Sequence, residues 1–257
     1  MLELKHISKT YHSGTAAEHP LFSDFSLNVP DGQFLSIVGS NGSGKTSLLN
    51  LICGTIAPDQ GEILLDGSPI TRQKEYQRYA AIGRVYQNPS AGTAPSLTIL
   101  ENLSLADCKG QHFGLRRGIR KDRTDFYRGE LQRLGLGLED QLSVPMSLLS
   151  GGQRQAVALL MATLTPLRFL ILDEHTAALD PKTAELIMEL TGQLVREKRL
   201  TAMMVTHNLR YAVEYGDRLL MMNRGHVVLD RSGEEKAATG VEELLGIFNR
   251  LSMPSAE

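Results

Sequence analysis

Gly39, Ser40, Asn41, Gly42, Ser43, Gly44, Lys45 and Thr46 spell G-x-x-x-x-G-K-T, a spacing suited to holding a polyphosphate. Glycines let successive backbone N–H groups turn inward on anionic oxygens, and a helix start directly after them adds favourable partial charge. Lys45 would then reach the β- and γ-phosphates of a nucleotide, and the Thr46 hydroxyl would ligate Mg²⁺. Asp173 and Glu174 make a second chemical pair. The first carboxylate can hold Mg²⁺, usually through water, while the second points elsewhere and can take a proton from an attacking water. A third feature is Ser150-Gly151-Gly152-Gln153. A small hydroxyl and two glycines at a helix start form an anion site distinct from the first. Capping alone explains Ser150 but not the glycines, which ordinarily weaken a helix.

Chemistry of this kind needs strands that end where the reactive residues begin. Residues 34–38 are an apolar run that reads as a buried strand entering the glycine-rich loop, and residues 47–53 read as a helix closed by Gly54. Residues 169–172 form a continuous apolar run, as expected of a parallel strand covered on both faces. Residues 82–86 and 202–205 read as further strands, leading to Gln87 and to Thr206-His207. Asp180-Pro181 is an N-cap followed by proline, opening a helix to about residue 198. Strands alternating with crossover helices predict an α/β fold with a mostly parallel sheet, whose ligands bind at the carboxyl ends of the strands. Gln87, Asp173, Glu174 and His207 all stand at such ends.

The N-terminal part reads differently. Residues 2–7 and 25–29 are strands separated by a Gly- and Ala-rich loop at 13–19, with Tyr11 between them, and residues 61–66 form another strand closing in an Asp-Gly turn. These predict an antiparallel β portion. Residues 88–96 are rich in Pro, Gly and Ala, and Thr98 to Glu101 fits a capping box. Residues 88–165 are therefore expected to be a mainly helical insert, between core segments 1–87 and 166–257, ending in a helix from about Gly152 to Leu164. A hairpin over 218–229, through Asn223-Arg224-Gly225, and a short amphipathic helix at 241–251 complete the reading. The methionine pairs at 203–204 and 221–222 read as core filler.

Bulk properties exclude several classes. The 257 residues carry a net charge of −2, which gives no sign of a nucleic-acid binder. The one basic concentration, at 109–123 with Arg116, Arg117, Arg120, Lys121 and Arg123, reads as a solvated helical face, with contact to lipid headgroups or a partner as the other reading. Two cysteines, Cys53 and Cys108, supply no disulfide framework and fit a reducing compartment. No stretch reaches the ~18 apolar residues of a membrane span, and the N-terminus is not a signal peptide. The expectation is a cytoplasmic chain.

This set of residues resembles the ATP-binding subunits of ABC transporters over essentially the whole chain. Leu149-Ser150-Gly151-Gly152-Gln153 is identical to the family signature LSGGQ, and the other motifs follow in the family's order and spacing. The resemblance implies a P-loop NTPase core, ATP and Mg²⁺ as ligands, and specific roles. Tyr11 would stack on adenine, and Gln87 would contact Mg²⁺ or the water and report to the membrane subunit. Asp173 would hold Mg²⁺, Glu174 would be the general base, His207 would contact the γ-phosphate, and Asp180 would connect two nucleotide sites. One departure is His175, where the family commonly has proline after the glutamate. The runs at 90–96 and 173–180 are similar to a branch serving aromatic amino acids or related small solutes.

The implied protein hydrolyses ATP to power a membrane transporter, an importer by resemblance. It would work as a homodimer with separate transmembrane permease subunits and an extracytoplasmic solute-binding protein, peripheral on the inner face of the membrane. A soluble ATPase acting on ribosomes or DNA is the other class. Such proteins typically carry two nucleotide domains or a long coiled coil, and this chain has neither.

Overall fold

The computed structural model describes residues 1–111 and 118–252. Arg116 and Arg117 of the basic run lie outside the described residues. In chain order the strands are β1 (Leu2–Tyr11), β2 (His19–Val29), β3 (Phe34–Gly39), β4 (Gln60–Leu65), β5 (Ser68–Pro69), β6 (Ile82–Val85), β7 (Phe169–Asp173), β8 (Ala202–Val205), β9 (Arg218–Asn223) and β10 (His226–Ser232). The α-helices are α1 (Lys45–Cys53), α2 (Glu75–Arg78), α3 (Ile99–Asp107), α4 (Thr124–Gln132), α5 (Gly151–Thr163), α6 (Pro181–Glu197), α7 (Leu209–Glu214), α8 (Gly233–Ala237) and α9 (Val241–Ser252). Two compact units result: Met1–Arg78 with Leu200–Glu257, and Tyr79–Arg199. Strands β6 and β7 and helix α6 thus group with the helices of 88–165, and the compact division does not coincide with the boundaries of that segment.

In the first unit β3 is the organising strand. It pairs in parallel with β8, from Phe34↔Ala202 to Ile37↔Val205, and with β9, from Leu35↔Arg218 to Gly39↔Met222. Flanked on both sides, it is buried along its whole length, which explains its unbroken apolar sequence. Met203, Met204, Met221 and Met222 are core residues. β9 turns back through Arg224-Gly225 into antiparallel β10. Helix α1 ends at Gly54, whose φ of 81° is the left-handed cap that glycine takes without steric cost. Its last carbonyls are gripped by the Arg78 guanidinium, which donates to Leu51 and Ile52 at 2.6 and 3.0 Å.

The N-terminal sheet is antiparallel, in the order β2-β1-β4-β5. Two boundaries differ from the sequence reading: β1 runs on to Tyr11 and β2 begins at His19, so both strands extend past residues 7 and 25. The register shifts between Leu4 and Ile7 and again before Lys9, and His6 and Asp24 adopt φ of 54° and 57°. Bulges of this kind break the period-2 alternation from which strands are read, so the far halves look like loop in the sequence.

In the second unit β6 and β7 pair in parallel, from Ile82↔Phe169 to Val85↔Leu172. Helix α5 packs on β6 and against α3, α4 and α6. Thr98 and Glu101 make the expected capping box at the start of α3. The buried Asn102 amide binds the backbone of Ala94, Leu97 and Thr98 and so fixes the turn before that helix. Among the described residues no helix is long and apolar enough to cross a membrane.

Candidate nucleotide site

In the first unit the parallel strands β3 and β8 end at one carboxyl edge, which carries the glycine-rich loop and His207. β3 runs straight into the loop from Gly39 to Thr46. Thr206 continues the β8 ladder by donating its N–H to Ile37 at 3.1 Å, so exposed His207 leaves the sheet at the same edge. Within the loop Gly42 and Gly44 take φ of 77° and 104°, conformations that a β-carbon would strain. Gly44 is the N-cap of α1. It provides no side-chain cap, and the first turn holds no acidic residue. The helix start therefore keeps N–H groups and a positive dipole end for an anion. Buried Lys45 curls back over the loop, donating to the Gly39 and Ser40 carbonyls at 2.6 and 3.0 Å and lying 3.4 Å from the Ser43 hydroxyl. Ser40, Asn41, Gly42 and Thr46 are exposed. An uncapped helix start, a lysine across it and exposed loop residues accommodate a triphosphate. Tyr11, half-buried at the end of β1, donates its hydroxyl to Ser47 at 3.0 Å, which ties its ring to the first turn of α1.

In the second unit the parallel pair β6–β7 delivers exposed Gln87 and the Asp173-Glu174 pair to one edge. Asp173 is not alone there: Arg84 donates to its carboxylate at 2.7 Å. The sequence reading missed Arg84, although it is the only charged residue in an otherwise apolar strand. Half-buried Glu174 takes a φ of 48°, and its carbonyl accepts from Ala177 at 2.9 Å, turning the chain back toward α6. His175 is fully buried, its Nε2 lying 3.0 Å from the Thr191 hydroxyl. Burial lowers its pKa to about 4, so the ring is neutral at physiological pH.

Ser150 and Gln153 cap each other at the start of α5 through bonds of 3.2 and 3.0 Å. Gly152 faces Thr183 on α6 so closely that an added β-carbon would meet the threonine methyl at 2.1 Å, whereas Gly151 is exposed and meets only ordinary packing distances. One of the two signature glycines therefore has a structural reason that does not involve an anion. Asp180 is the N-cap of α6, accepting from Thr183 N–H at 3.1 Å. Hydrogen bonding from Thr183 holds its carboxyl below the usual range.

Among the described residues no three His, Cys, Asp or Glu side chains cluster to hold a metal by themselves. The Thr46 hydroxyl, Gln87 amide and Asp173 carboxylate are hard oxygen donors, the kind Mg²⁺ takes while keeping water and phosphate in its shell.

The family model described as ABC transporter matches residues 22–177, more than half of the chain. A tyrosine transport ATP-binding protein of Clostridioides difficile (strain R20291) is 46% identical over 248 residues, 96% of this chain and 98% of that protein. The dimeric post-hydrolysis state of the ATP-binding cassette MJ0796, bound to ADP and Pi, matches with a TM-score of 0.76 at 31% identity, over 90% of this chain and 98% of that one. CbiO1 of Clostridium perfringens, part of the ABC transporter complex CbiONQ, matches at 0.75 with 26% identity, over 95% of this chain and 90% of that one.

Proposed function

The chain belongs to the ABC transporter family and is an ATPase of it, and from that premise we propose that it powers an importer of small solutes through separate transmembrane permease subunits. The reading extends to aromatic amino acids, supported by the tyrosine transport relative at 46% identity. The observation that carries ATP binding is the uncapped start of α1 under Lys45.

Each residue has a role in this reading. Backbone N–H groups from Gly39 to Thr46 take the phosphate oxygens, and Lys45 exchanges its loop carbonyls for the β- and γ-phosphates. Tyr11 stacks on adenine. Thr46 and Asp173, with Gln87, hold Mg²⁺, which when bound would neutralise charge on the phosphates. Glu174 accepts a proton from the attacking water, and His207 donates to the γ-phosphate. Residues 88–165 act as the helical insert between core segments. Ser150, Gly151, Gly152 and Gln153 serve the nucleotide of a second copy, and Asp180 connects the two sites. An extracytoplasmic binding protein delivers solute, and the permease holds this subunit at the cytoplasmic face of the membrane.

The test is nucleotide binding by calorimetry. Wild-type protein binds ATP and hydrolyses it with Mg²⁺, while Lys45→Ala loses binding. Unchanged ATP affinity in Lys45→Ala would overturn the assignment.

A further inference from the structure

Arg84 sits opposite Ile171 in the β6–β7 ladder. Residues two apart on a strand share a face, so Ile171 and Asp173 lie on one side of β7, and Arg84 and Tyr86 on one side of the β6 line. A long side chain at Arg84 thus reaches along the ladder to the strand's carboxyl end, where its Nη2 meets Asp173 Oδ2 at 2.7 Å. Its guanidinium also lies 4.8 Å from the Tyr86 ring centroid. The ion pair is mostly shielded, with the Arg84 and Asp173 side chains 7% and 17% exposed. Replacing a shielded pair of this kind by apolar residues of similar volume is often neutral for stability, so the pair is weak evidence of a stabilising role.

We propose that Arg84 tunes the metal site: it is a resident cation paired with the Asp173 carboxylate and, by charge repulsion, it sets how much Mg²⁺ the nucleotide complex requires. This rests on the reading that Asp173 holds Mg²⁺. One carboxylate oxygen is engaged by the guanidinium, which leaves the other for a metal-bound water. The full positive charge beside it opposes a divalent ion entering the same carboxylate's field. A neutral residue at 84 removes that opposition.

The experiment titrates MgCl₂ into protein with the non-hydrolysable analogue AMP-PNP and reads nucleotide binding by calorimetry, without turnover. In Arg84→Met the Mg²⁺ midpoint falls roughly tenfold, the scale expected for one nearby charge, with Mg²⁺-free binding unchanged. Arg84→Gln, which keeps a hydrogen-bond donor but no charge, moves the same way and serves if the methionine variant does not fold. Arg84→Lys stays within about twofold of wild type, since the charge is retained. A folded neutral variant with an unchanged or higher midpoint overturns the proposal. Asp173→Asn separates the two readings. If it leaves the Mg²⁺ dependence as in wild type, the assignment of Asp173 fails and the role of Arg84 falls with it. If it abolishes that dependence while the neutral variants shift nothing, only the Arg84 proposal fails.

Discussion

A β-carbon placed on Gly152 would lie 2.1 Å from the Thr183 methyl carbon, so helices α5 and α6 meet at their first turns with that methyl in the place a side chain would take. The same Thr183 donates its N–H to Asp180. Substitution at the signature glycine is thereby felt at the Asp180 loop. Gly152→Ala should destabilise the protein by about 1–3 kcal/mol, the usual cost of overpacking, measured by urea unfolding. Adding Thr183→Ser removes the opposing methyl and should recover at least half of the loss. A Gly152→Ala protein as stable as wild type would show that the approach carries no strain.

Lys109 makes a pH-dependent contribution. Its amino group donates to the Ile82 carbonyl at 2.9 Å, and burial lowers its pKa to about 8 from 10.5. Between those values the unfolded chain holds the extra proton, so folding stability rises with pH across that window. At neutral pH the buried charge costs its full penalty. From pH 7.5 to 9.5 wild type should gain ~1–2 kcal/mol relative to Lys109→Gln. Urea unfolding of both proteins at the two pH values reads this directly, and a constant difference refutes it.

The docking segment is a third target. We place the permease contact at 88–105, where Asn102 fixes the turn at residues 94–98, Ala91 is exposed and Leu105 is 49% exposed. Apolar surface on a rigid turn suits an amphipathic helix from a partner. Crosslinks from the permease should map to this segment and weaken with Ala91→Asp or Leu97→Asp. Crosslinking concentrated on α9 instead would sink the idea.

What was legible in the sequence was local. The Thr98–Glu101 box, the Asp180-Pro181 cap and the Arg224-Gly225 turn are each set by residues within a few positions, and all stand as read. The glycine-rich loop was legible because a strand and a helix start must flank it. Helix α7 was missed although Asn208 caps it, because six residues are too few to show a period. The lengths of β1 and β2 were hidden by the register shifts between them, where His6 and Asp24 take positive φ. Arg84 and Asp173 are 89 positions apart, and the pair depends on the register of β6 against β7, which no local pattern specifies. Thr183 opposite Gly152 is hidden for the same reason.

The last prediction concerns a second copy of the chain. Helix α1 starts without a side-chain cap while α5 caps itself through Ser150 and Gln153, so the two helix starts differ in how their first turns are capped within the chain. We place Ser150 and Gly152 against the γ-phosphate of a partner's nucleotide, with the exposed Ser150 hydroxyl turning from its cap to that phosphate. Two-fold symmetry makes two such sites from one repeated contact. In that arrangement ATP would join the copies, and hydrolysis would release them. Removing the base should separate joining from turnover. Glu174→Gln should lose roughly 10²–10⁴-fold in rate, the usual contribution of a general base, while accumulating an ATP-bound dimer. Ser150→Arg introduces bulk and charge at the contact, and should block that dimer with ATP binding by the monomer intact. Light scattering on both variants, with and without ATP and with the permease present in parallel, decides it. A Glu174→Gln protein that turns over normally, or one that stays monomeric at saturating ATP beside its permease, overturns the assignment.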